Sequence, residues 1–143
     1  MKFVRIVNPA SGQELGDRIA VAEWWWQRLR GLLGRPPLRP GQGLLLTPCR
    51  AIHMAGMKYP LDVVLLDREG MVVALYPGIA PGKRTRWHAS ARSALELPAG
   101  TLEATGTQVG NTLVCSPAAV APSEAQLDRQ TMPQTEALEL SVR

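Results

Sequence analysis

One of the chain's two cysteines, one of its two histidines and two of its five methionines fall between Cys49 and Asp67, directly ahead of its strongest strand signal. Cys49, His53 and Met57 recur every four residues. Thiolate, imidazole and thioether are soft ligands that suit copper, and the first two also suit zinc. Three ligands leave such a site incomplete, so a soft-metal protein stands only as an alternative, and no cofactor is expected. Cys49 could serve as a nucleophile only with His53 or His88 as a base within hydrogen-bond reach. A lone cysteine is more often a packing residue.

Asp62 and Glu96 are the carboxylates to explain, because each sits among apolar neighbours in a strand-like run. A charge so placed must be paired or must reach water. Pairing with Arg35 or Arg92, or capping of backbone, is the structural reading. The functional reading brings Arg35, His53, Met57, Asp62, Arg92 and Glu96 around a small polar or anionic ligand. In it His53 and Asp62 hydrogen-bond the ligand, Arg35 or Arg92 neutralises an anionic group, and Met57 lines the wall. The expectation is a small non-catalytic binding or accessory module. A hydrolase or transferase using Asp62 and His53 as an acid–base pair is the main rival.

These side chains need a scaffold, and the apolar pattern supplies mostly strands. Residues 2–22 read as a hairpin around the turn formers Asn8-Pro9-Ala10-Ser11-Gly12. Glu23 to Leu33 reads as the one helix, with Trp25, Leu29, Leu32 and Leu33 at three- and four-residue steps and Gly34 as a stop. The prolines of Arg35–Gly41 make a stiff connector. Strands follow at 43–46, 61–66, 71–76, 93–97 and 112–115, with a helical turn over 102–104. Leu61–Leu66 is nearly all apolar, as in a strand covered on both faces. Together these predict a compact antiparallel β-sandwich or barrel-like domain over residues 1–116, mainly β (α+β), and a partly ordered polar tail over 117–143.

Charge is uneven along the chain. Residues 28–92 carry eleven basic and three acidic residues, while 93–143 carry two and six. A basic middle suits an anionic partner. The loop Lys83-Arg84-Thr85-Arg86-Trp87-His88 could hold a phosphate or stack a base, but no nucleic-acid motif accompanies it. A solvated or protein-docking loop is expected there, and nucleic acid is not. No apolar run approaches the ~18 residues of a membrane span, and no secretory-signal core follows Lys2 and Arg5, so the cytoplasm is the expected location. Cys49 and Cys115 are then free thiols rather than a pair.

Three blocks, in order, resemble one family. Arg30-Gly31-Leu32-Leu33-Gly34-Arg35 resembles its GLMxR signature, Met57-Lys58-Tyr59-Pro60-Leu61-Asp62 opens a run similar to its MKNTxxPLDxxFxD, and Leu95-Glu96-Leu97-Pro98-Ala99-Gly100 matches its LELPAG. The chain thereby resembles the bacterial and archaeal family known as domain of unknown function 192. Tyr59 stands where the family often has Asn, and Gly110-Asn111 where it usually has Gly-Asp. The resemblance implies a compact mainly β domain with one helix, and no established activity.

Overall fold

The computed structural model describes residues 2–118. The expected tail therefore lies, from residue 119, outside the described residues. Seven strands form one sheet: β1 (Phe3–Asn8), β2 (Gln13–Ala22), β3 (Gln42–Leu46), β4 (Leu61–Leu66), β5 (Val72–Ile79), β6 (Ser93–Pro98) and β7 (Val114–Pro117). Their spatial order is β5-β4-β6-β3-β2-β1-β7. Among the described residues two short helices, α1 (Trp25–Arg30) and α2 (Thr101–Thr105), accompany the sheet.

The sheet is mixed. Each neighbouring pair is antiparallel except β2 and β3, which run parallel with Ala20 beside Leu44. Parallel neighbours cannot be joined by a tight turn and need a crossover. Residues 23–41, which include α1 and the proline connector, provide it. α1 is shorter than the periodicity predicts. It ends at Gly31, whose φ of 52° and ψ of −126° leave helical space. Gly34 at φ 72° and the Pro36-Pro37 pair keep the chain from resuming it. At the other end Gln27 Oε1 accepts the N–H groups of Glu23 and Trp24, each at 3.3 Å.

Pleating divides the core into two layers, one on each sheet face. Ala20, Leu44, Leu46, Leu61, Val63, Leu65 and Ala94 point to the first face and pack with Leu32, Ile52 and Met54 from the covering loops. Ile19, Val64, Leu66, Leu95 and Leu97 point to the second, with Leu102 of α2 and Leu113. β4 is buried at all six positions because both layers rest on it. Asp67 closes the β4–β5 turn: its Oδ1 accepts the N–H groups of Glu69 and Met71, both at 2.9 Å. Among the described residues no helix is long and apolar enough to cross a membrane.

Candidate functional site

Glu96 is the anomaly of the first face. In β6 it stands opposite Leu44 of β3 and Val63 of β4, so its side chain rises from the apolar floor that those residues make. It is only 6% exposed. Its Oε2 is buried with no hydrogen-bond partner. Removal from water pushes its pKa up from 4.5 to about 7.

Above this carboxyl lies a cavity of about 270 Å³. Leu32, Leu46 and Ile52 give it apolar walls, Cys49, His53 and Met57 line one side, and Arg28 and Arg30 approach from α1. The loop carrying Cys49 to Met57 is held by a second loop. Cys49 N–H donates to the Arg92 carbonyl at 2.9 Å, Met54 N–H to the Lys83 carbonyl at 2.7 Å, and Thr85 N–H to the Ile52 carbonyl at 2.8 Å. Thr85 Oγ1 in turn accepts the Ile52 N–H at 2.9 Å. Met54 is fully buried and anchors the loop, while His53 bridges to Arg84 and stays exposed.

The cavity favours neutral forms. Burial chiefly raises the Cys49 thiol, and the Glu96 charge adds to this; a hydrogen bond to Ala51 and the charge of Arg28 oppose it. Cys49 Sγ donates to the Ala51 carbonyl at 3.1 Å. Tyr59 is raised in the same way, first by burial and then by Glu96. Burial therefore opposes the thiolate that a cysteine nucleophile requires. Cys49, His53 and Glu96 do not close on a common point. Among the described residues no group of three His, Cys, Asp or Glu side chains is placed to hold a metal ion.

Of the six residues expected to converge, three do: His53, Met57 and Glu96. Arg35 lines two adjoining clefts, one with Met57 and Tyr59, and its Nε is buried without a partner. Arg92 is exposed and contributes backbone, its N–H donating to Leu66 and its carbonyl accepting from Cys49. Asp62 corrects the expected arrangement. It pairs in register with Leu97, one residue along from Glu96, so it points to the second face, away from His53. Its Oδ1 accepts the Gly78 N–H at 2.7 Å, and its Oδ2 accepts those of Gly100 and Leu102 at 3.1 and 2.9 Å. The expected Asp62–His53 acid–base pair is therefore not assembled.

Other candidates have structural partners. His88 Nε2 lies 2.7 Å from the Tyr76 hydroxyl, which also accepts the Arg86 N–H at 3.2 Å. Trp87 is exposed, with the Arg50 guanidinium 6.0 Å from its ring centre. Asn111 uses its Oδ1 to accept from Asn8 Nδ2 at 3.0 Å and from the Gln108 N–H at 2.8 Å. Asparagine offers there the same acceptor that aspartate would. Arg28, Arg30 and Leu32 also line the cavity, although the sequence reads them as helix residues and not as site residues. The Arg30–Arg35 block was their available signal, since it places a glycine-broken helix end above the sheet.

The chain matches the model of the family DUF192, described as "Uncharacterized ACR", over residues 6–115. It is similar in structure to a protein of unknown function from Novosphingobium aromaticivorans DSM 12444, with TM-score 0.68, 18% identity and coverage of 78% of this chain and 83% of that one. It is also similar to a Sinorhizobium meliloti 1021 protein provisionally described as a transcription regulator, with TM-score 0.67, 23% identity and coverage of 80% and 92%. No curated protein matches. Both structural likenesses carry the fold alone. The family match runs from β1 into β7 and spans the whole cavity, and on that ground the chain belongs to the DUF192 family.

Proposed function

We propose that this domain is a non-catalytic binding module whose ligand, a small polar molecule with an N–H or O–H donor, seats on the Glu96 carboxyl. One observation carries the reading: Glu96 Oε2 is buried and unpartnered beneath a 270 Å³ cavity. An unmet buried acceptor costs about 1–3 kcal/mol, and more when charged. A ligand donor at Oε2 would recover that free energy. The apolar walls would take the ligand's carbon frame, and His53 and Arg28 at the side would orient further polar groups.

Three observations favour binding over catalysis. Asp62 commits its oxygens to backbone, the Cys49 thiol is raised, and His88 is engaged by Tyr76. The test is a small-molecule fragment screen followed by amide NMR on the full chain. Hits should shift the Ile52, His53 and Glu96 amides, and Glu96→Gln should weaken them by about tenfold or more. Hits indifferent to Glu96→Gln would refute the assignment. So would turnover in a hydrolase or transferase screen that is lost in His53→Ala.

A further inference from the structure

A second cleft, of about 640 Å³, opens on the same sheet face beneath the β2–β3 crossover. The parallel register sets Arg18 beside Gln42 and Ala20 beside Leu44, and Phe3 of β1 stands opposite Ala20. The crossover adds Arg30, Arg35 and Arg39, so four arginines line the cleft and, among the described residues, no Asp or Glu does. Among the described residues the ion pairs are Lys2–Glu23 and Arg5–Glu14, which leaves all four unpaired.

Contacts restrain the Arg18 side chain and the backbone at Arg35 and Arg39 without neutralising their charges. Arg18 lies over the Phe3 ring, 5.3 Å from its centre. Pro36 and Pro37 fix the backbone after Arg35, whose Nε is buried and unpartnered. Arg39 is set by a reciprocal turn in which its N–H donates to Gln42 Oε1 at 2.8 Å and its carbonyl accepts the Gln42 N–H at 3.0 Å. Converging like charges repel, and an anion between them turns that repulsion into attraction. The guanidinium fork suits phosphate and carboxylate oxygens in pairs. The remaining walls are apolar: Phe3, Leu32, Leu38 and Leu44.

We propose that this cleft is a binding site for a small soluble organic anion with two negative charges on an apolar body, of which an aryl phosphomonoester is the simplest member. It is a different site from the Glu96 cavity, with which it shares only Arg30 and Leu32, and it stands without the reading given to that cavity. Glu96 would repel such a ligand, whereas the cleft has no carboxylate to do so.

The probe is phenyl phosphate, titrated calorimetrically into the full chain at low ionic strength, with inorganic phosphate in parallel. Saturable one-to-one binding is expected, with inorganic phosphate several-fold weaker for want of the apolar contact. Arg18→Ala and Arg39→Ala alter exposed side chains and should each weaken phenyl phosphate by about tenfold. Arg68→Ala, in the distant β4–β5 turn, should stay within about twofold of the parent. No saturable heat would overturn the proposal, as would an Arg68→Ala loss equal to that of Arg39→Ala, which would mean general charge attraction. A loss in Arg28→Ala, an arginine of the Glu96 cavity alone, with none in Arg18→Ala would move the ligand to that cavity and overturn the proposal. Binding to phosphatidic-acid vesicles without binding to phenyl phosphate would replace the soluble ligand with a lipid surface.

Discussion

Asp62 and Glu96 stand on neighbouring strands of one sheet, each amid leucine and valine, and meet opposite fates. Asp62 receives three backbone N–H groups, tying β4 to the end of β5 and the start of α2. Asp62→Ala strands those donors and should cost about 3–5 kcal/mol in urea unfolding, with Asp62→Asn costing less because one oxygen remains. Glu96 receives no such bonds, and its burial makes stability depend on pH. With its pKa at about 7 in the fold against 4.5 outside it, the folded chain keeps a proton that the unfolded chain has released. Stability should therefore fall as pH rises from 4.5 to 7, by about 3 kcal/mol in all, and level off above. Glu96→Gln should flatten that slope, as read from unfolding midpoints across the range. The sequence marks both carboxylates as anomalous but does not separate them, because their opposite orientation follows from strand register, which is a property of pairing.

At the scale of elements, the crossover between β2 and β3 matters most, because it roofs both the Glu96 cavity and the arginine cleft. Gly31 lets it turn off the end of α1, in a backbone conformation that side chains disfavour. Gly31→Ala should destabilise by about 1–3 kcal/mol and also weaken ligands of the Glu96 cavity, which Gly31 lines. Thermal unfolding and fragment titration of the variant check the two effects. The strands were legible from apolar runs and turn residues, and Leu61–Leu66 in particular from its uninterrupted burial. The helix is shorter than its apolar spacing implies, since Leu32 and Leu33 keep the helical spacing while Gly31 has already ended the helix. Leu32 packs with the first-face core in any case, so its apolar character serves a loop.

For the whole molecule, the strand-rich fold and the family match agree with the mainly β class and the family that three short sequence blocks imply, while the sheet is mixed where an antiparallel one is expected. The parallel β2–β3 pair was not legible, because a long connector can return a strand on either side and in either direction. The excess positive charge of residues 28–92 was legible as a total. Its concentration into one arginine-lined cleft depends on the crossover's path over the sheet. The proposed function rests on a layer of apolar packing that holds the unpartnered Glu96 carboxyl. The most direct measurement is the titration of the Glu96 side-chain carboxyl by carbon-13 NMR, alone and with a bound fragment. A free midpoint at about 7 that moves on binding is the expected result. A midpoint in the ordinary range near 4.5, unmoved by ligands, would mean that Glu96 is solvated and would contradict the site.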